Sequence, residues 1–263
     1  MHLQRLIVAL AVLPIFYLYI MKLPQIFFFI LLLAVSVIAQ LEFYSMYNIR
    51  GVMKKTGLLM GVAILLMTYY SPNSISNIIL ISFVLVTSVR LVSKRDPLSS
   101  LNDISPVMLS LLYIPSLLGL QISLRQNGPE WIIFLFGSVW ASDSLAYYIG
   151  KGIGKRRLYM EVSPNKTVAG AFGSLLGGAL SACLLDLLLV HRMGLSKAIF
   201  VGIIIGATTI TGDLVESMFK RDAGVKDSSN IIPGHGGVLD KIDGVLFAGP
   251  ALYWILVVLS NYR

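Results

Sequence analysis

Long apolar runs follow one another through most of this chain, with short connections between them. They lie near Leu6–Ile20, Ile26–Leu41, Gly57–Tyr70, Ile78–Leu91, Pro106–Ile122, Trp131–Gly150, Val168–Val190, Ala198–Ile210 and Val245–Leu259. Hydrophobic residues make up 56% of the chain and charged residues only 13%, against roughly 25% charged in soluble domains. Such a chain folds with lipid as its solvent. Several runs are shorter than the ~20 residues that cross a bilayer upright, so their helices extend past these limits or lie partly at the interface. The expected architecture is all-α: one polytopic integral membrane domain, residues 1–263, with about nine transmembrane helices and a polar cavity facing the cytoplasm. Residues Met21–Gln25 suit a tight helical hairpin. No small-residue cleavage site follows the first run, so it reads as a retained helix rather than a signal peptide.

Basic residues orient the chain. With the N-terminus and the connections after the second, fourth, sixth and eighth runs inside, 16 of the 21 Lys and Arg face the cytoplasm and 5 face outward. The positive-inside rule favours that choice. The net charge of +8 then reflects basic loops beside anionic headgroups, and no nucleic-acid partner is needed to explain it. A multi-pass protein of the cell's inner (plasma) membrane is expected.

Against this apolar background, the segment from Thr211 to Asp243 gathers Asp213, Glu216, Lys220, Arg221, Asp222, Lys226, Asp227, His235, Asp240, Lys241 and Asp243. Ionisable groups are costly near hydrocarbon, and such a concentration signals function. Carboxylates suit hard cations such as magnesium, Lys and Arg suit phosphate oxygens, and closely spaced glycines let a backbone approach an anion. Asp213, Ser217 and Lys220 stand at steps of four and seven, so a helix presents them on one face, with Arg221 close by. Asp240 and Asp243 share a face at a step of three. Only tertiary folding brings them to Asp213, and like charges at that range need a cation between them. Between the two groups, Gly234-His235-Gly236-Gly237 offers bare backbone able to wrap a phosphate. The pattern points to a magnesium-dependent enzyme acting on phosphates at a membrane surface.

A second polar cluster lies upstream. Asp143 interrupts an apolar run, with Tyr147 and Gly150 beyond it. A carboxylate within a span costs about 2.5–3.5 kcal/mol on insertion scales, so it faces a bundle interior or cavity. A basic, glycine-rich connection from Gly150 to Arg157 follows, and Ser163-Pro164-Asn165-Lys166-Thr167 reads as a helix start where an anion can rest. Lys166 is the functional candidate there. Other features read as structure. Gly57/Gly61, Gly173/Gly177 and Gly202/Gly206 suit close helix packing, and Asp186 reads as a carboxylate reaching the interface. Cys183 stands alone in an apolar run. Without a CxxC or a His/Cys cluster, zinc is not expected.

Taken together, Ser217-Met-Phe-Lys220-Arg221, Lys226-Asp227 and Pro233-Gly-His235-Gly236-Gly237-Val-Leu-Asp240-Lys-Ile-Asp243 resemble the pattern of the phosphatidate cytidylyltransferase (CDP-diacylglycerol synthase) family. Gly212-Asp213-Leu, Asp143, Tyr147 and Ser163-Pro164…Lys166-Thr167…Gly170 are also similar to that family. Lys241 stands where arginine is usual, and Asn165 and Ala169 where lysine and glutamate are common. The resemblance divides the domain into N-terminal helices, 1–130, and a catalytic half, 131–263, and covers the latter well. It implies that phosphatidate and CTP give CDP-diacylglycerol and pyrophosphate, within phospholipid biosynthesis. It further implies that Asp213 and Asp240 hold divalent metal, with Asp243 a ligand or close behind, and that Mg2+ is joined by a second cation such as K+. Lys220, Arg221 and Lys226 would neutralise phosphates. His235, Gly236 and Gly237 would shape a triphosphate cradle, and Asp143, Ser163, Lys166, Ser217 and Asp227 would complete the substrate site. A lateral opening to the bilayer and a homodimer are implied as well. The alternatives are another CTP-dependent lipid enzyme, such as a polyprenol kinase or an archaeal-type lipid cytidylyltransferase, a cation-coupled transporter, and a membrane scaffold.

Overall fold

The computed structural model describes residues 13–94, 96–231 and 236–261. Among them, eight helices are long and apolar enough to cross a membrane. These are α2 (Gln25–Met46), α3 (Gly51–Tyr70), α4 (Ile75–Ser93), α5 (Ser100–Gln126), α6 (Glu130–Ile153), α7 (Val168–Val190), α8 (Leu195–Asp222) and α9 (Leu239–Asn261). A shorter helix, α1 (Leu13–Lys22), precedes them. The protein is an all-α polytopic membrane protein. The first expected span, Leu6–Ile20, is described only from Leu13 onward, and its earlier residues lie outside the described ones.

Local chemistry explains the departures from regular helix. Pro115 lacks an N–H and its ring would meet the carbonyl of Leu111. The chain answers with a wider π-helical turn over Leu112–Ser116, and the Ser116 hydroxyl donates to the Leu111 carbonyl at 2.8 Å. A freed carbonyl inside the membrane is thereby satisfied.

Two expectations are corrected. Ser163-Pro164 does not start a helix. It begins strand β2 (Ser163–Thr167), which pairs antiparallel with β1 (Arg157–Tyr159), Arg157 opposite Thr167 and Tyr159 opposite Ser163. The helix starts at Val168, where Thr167 Oγ1 accepts from the Gly170 N–H at 3.1 Å and acts as the N-cap. Asp186 does not reach the interface. It is buried at the end of α7, where its carboxylate accepts from the N–H groups of Arg192, Met193 and Gly194 at 3.2, 3.1 and 3.0 Å. It thus satisfies backbone donors of the turn that leads into α8.

The packing that positions the polar residues is close. Helix α7 lies between α6 and α8, and α9 packs on α8 and α5. At Gly178 and Gly202 the backbones of α7 and α8 touch, and a Cβ on either glycine would collide with the other's carbonyl. Gly212 does the same for α8 and α9. A Cβ there would run into the Asp243 carbonyl, with Gly244 beside it. This crossing sets Asp213 and Asp243, each next to a contact glycine, at one place.

Candidate active site

Helix α8 continues past its apolar stretch to Asp222, so Asp213, Glu216, Ser217 and Lys220 lie on helical turns and share one face. Helix α9 contributes Asp240 and Asp243 from its first turns. The hairpin and the end of α6 supply Ser163, Lys166, Asp143 and Tyr147. The result is a cleft of about 770 Å³ whose lining includes Asp143, Tyr147, Lys151, Arg157, Ser163, Lys166, Asp213, Asp240 and Asp243. An apolar groove of about 520 Å³ adjoins it, formed mainly by α7, α8 and the hairpin. The two share Leu158, Ala171 and Ile210.

Charge is organised in two layers. At the mouth, Lys166 Nζ pairs with Asp213 Oδ2 at 2.6 Å, and the Ser217 hydroxyl donates to Asp213 Oδ1 at 3.3 Å. Deeper, Lys220 Nζ lies between two carboxylates, pairing with Glu216 Oε2 and with Asp240 Oδ1, the latter at 2.6 Å. Asp240 Oδ2 accepts from the Ser228 N–H at 3.0 Å, the Ser228 hydroxyl at 2.8 Å and the Gly237 N–H at 2.7 Å. Both Asp240 oxygens therefore have protein partners, and a metal at Asp240 would share Oδ1 with Lys220 or displace a donor from Oδ2.

One carboxylate oxygen from each of Asp213, Glu216 and Asp243 lies within 4.8 Å of the others. Glu216 is buried and its Oε1 accepts no hydrogen bond. An orphaned buried carboxylate oxygen is costly, and three hard oxygens at this spacing fit a cation such as Mg2+. Glu216 was not singled out from sequence. Its only local signal is its place on the helical face shared by Asp213 and Lys220.

Other expected residues stand differently. Arg221 reaches the hairpin turn, donating to the Val162 carbonyl at 3.3 Å, and donates to the Val225 carbonyl at 3.1 Å. It fastens β1–β2 to the end of α8. Lys226 and Asp227 are exposed and do not line the cleft. Gly236 takes a positive φ of 85° beside Asp240. Here the glycines wrap carboxylates of the protein itself: a Cβ at Gly236 would meet the Asp240 side chain, and one at Gly237 would meet Ser228 Oγ and Glu42 Oε2. Pro233, Gly234 and His235 lie outside the described residues.

Sequence reasoning missed Glu42 altogether. It sits on α2 within an apolar run and is 2% exposed. Its carboxylate accepts from the hydroxyls of Ser228 and Ser229 and from the N–H groups of Val238 and Leu239, at 3.1, 2.7, 2.9 and 2.8 Å.

Comparison with known proteins adds the following. Residues 3–259 match the Cytidylyltransferase family. A phosphatidate cytidylyltransferase of Synechocystis sp. is 33% identical over 253 residues, covering 83% of this chain and 84% of the relative. Another, from Bacillus subtilis, is 36% identical over 162 residues, and that match spans only 60% of either chain. One from Staphylococcus epidermidis is 34% identical over 183 residues, covering 70% of this chain and 69% of its own.

Proposed function

The chain belongs to the cytidylyltransferase family, and on that premise we propose that it transfers CMP from CTP to phosphatidate, giving CDP-diacylglycerol and pyrophosphate. The observation that carries this reading is the meeting of an anionic, cation-ready cleft with an apolar groove through Leu158, Ala171 and Ile210. A phosphate with two acyl chains needs both: polar groups for the headgroup and nucleotide, and apolar surface for the tails.

The chemistry asks little covalent help from the protein. An oxygen of the phosphatidate phosphate is already a nucleophile. It forms a bond to the α-phosphorus of CTP as the bond to the β-phosphate oxygen breaks, and pyrophosphate leaves. Catalysis is then in-line positioning and offset of charge. Asp213 and Asp243 are the ligands we assign to Mg2+, with Glu216 and Asp240 adjacent. Bound there, the ion would draw phosphate oxygens together and offset their charge. K+ is the second cation we propose. Lys166 and Arg157 line the cleft where phosphate oxygens enter, and Lys220 supplies positive charge behind them. Ser163 and Tyr147 offer hydroxyls on the same wall. Asp143, one helical turn from Tyr147 in the same lining, suits the ribose or base of the nucleotide, groups that can donate hydrogen bonds. Arg221 serves by holding the hairpin that carries Lys166. Lys226 and Asp227 we assign to the approach rather than the cleft.

Incubating purified protein with phosphatidate, Mg2+ and CTP labelled at the α-phosphate tests the reaction. Label is expected in the lipid phase. Label reaching lipid only from the γ-position would instead mark a kinase. The cleft's mouth is proposed to open to the cytoplasm at the inner (plasma) membrane. Lys226→Cys should then react with a membrane-impermeant maleimide in inverted vesicles and not in intact cells. A homodimer is proposed, to be read as twice the chain mass by light scattering in detergent.

A further inference from the structure

Glu42 belongs to none of the sequence patterns above, yet four hydrogen-bond donors grip its carboxylate, as many as hold Asp240. Two of these, the Val238 and Leu239 N–H groups, are orphan donors at the start of α9. A carboxylate there also meets the positive end of the helix dipole. The other two, the Ser228 and Ser229 hydroxyls, belong to the first half of the connection that leads from α8. Glu42 therefore ties the first half of that connection to the start of α9 from a third helix.

The tie runs straight into the candidate centre. Ser228 Oγ lies 3.1 Å from Glu42 Oε2 and 2.8 Å from Asp240 Oδ2. Ser228 Oγ thus contacts both carboxylates while its single proton can serve only one at a time, so the placement of one carboxylate bears on the other. Asp240 is the next residue after Leu239, and its other oxygen holds Lys220. Glu42 itself does not line the cleft. Helix α2 grips the other side of the connection as well. Tyr47 Oη is 3.0 Å from Asp222 Oδ2 and 3.3 Å from the Phe219 carbonyl, and the Phe43 ring packs edge-on to Phe219 at 5.8 Å.

We infer that Glu42 is a positioning residue for the transfer reaction: from α2 it locks the α8–α9 connection so that Asp240 and Lys220 keep their mutual aim in the cleft. The inference rests on the reaction proposed above. Lost partners behind reactive carboxylates commonly cost activity without loss of the fold.

The test compares Glu42→Gln, Glu42→Asp and Ser229→Ala with wild type in one detergent. Three readouts are taken: melting temperature, kcat and KM for CTP, and the rate of trypsin cleavage after Lys226 in the connection. Glu42→Gln replaces one acceptor oxygen by a donor facing other donors. At temperatures where it is folded, its kcat should fall roughly 10–100-fold, with KM for CTP changed far less and with faster cleavage after Lys226. Glu42→Asp keeps the charge and should recover part of kcat. Ser229→Ala removes one donor without exposing a buried charge and should shift kcat and cleavage in the same direction by less, which serves if Glu42→Gln does not fold. A Glu42→Gln protein that melts earlier but keeps wild-type kcat and cleavage would make Glu42 a fold staple and overturn the inference. Wild-type protein that transfers no α-label would overturn the proposed reaction instead. The cleavage rates alone would then decide whether Glu42 holds the connection.

Discussion

Lys166 on strand β2 and Asp213 on helix α8 meet at 2.6 Å across the mouth of the cleft. Asp213 is partly solvated, with 38% of its side chain exposed, while the Lys166 ammonium nitrogen is itself buried. An arriving phosphate therefore competes with Asp213 for the ammonium, and a cation competes with Lys166 for the carboxylate.

Replacing Lys166 should separate binding from folding. Asp213 keeps its contact with solvent when the ammonium is removed, so Lys166→Met should lose at most about 1 kcal/mol and melt close to wild type. Its kcat/KM for CTP should drop on the order of 10²-fold, the usual cost of losing one charge-stabilising donor. Thermal unfolding beside steady-state kinetics checks both parts.

Asp213→Asn and Asp243→Asn remove charge where the carboxylate oxygens converge. A lost metal contact is worth several kcal/mol of transition-state stabilisation, or roughly 10³-fold in rate. Chelation by EDTA should stop wild-type turnover and added Mg2+ restore it. Either variant working at wild-type rate would remove the metal assignment.

Lys220 stands between Glu216 and Asp240, and Glu216 is only 1% exposed. Lys220→Ala strands these carboxylates, and an uncompensated buried charge costs about 3–5 kcal/mol. Both stability and turnover should fall. Adding Glu216→Gln removes one stranded charge, so the double variant should regain melting temperature and remain inactive. Calorimetry in detergent with the label-transfer assay separates the two effects.

Asp186→Asn should behave in the opposite way. Its carboxylate satisfies three N–H groups at the α7–α8 turn, far in sequence from the cleft residues. An amide serves them less well, so stability should fall by about 1–3 kcal/mol while kcat stays at the wild-type value. A folded but inactive Asp186→Asn protein would reopen this residue's role.

What could be read from sequence was local. Asp213, Ser217 and Lys220 share a face because one helix repeats every 3.6 residues, and Asp240 and Asp243 obey the same geometry. The spans were legible from apolar length alone. What escaped depends on distant partners. Glu42 meets residues 186 to 197 positions away, and nothing near it in an apolar helix marks it. Ser163-Pro164 carries a helix-start signal, yet proline also suits a strand's first positions, and Thr167 took the capping role. Gly237 offered a bare N–H for a phosphate, but Asp240 claims it first. Gly212 set the meeting of Asp213 with Asp243, through a collision that only the folded chain reveals.

The bare contact of Gly178 with Gly202 leaves no compressible layer between α7 and α8. Backbones in direct contact have little room to slide past one another, so those two helices are expected to form the fixed wall of the cleft. The facing side is the short hairpin between α6 and α7, held to the end of α8 by the Arg221 bond to Val162, so loosening that one bond is the expected way to widen the entrance.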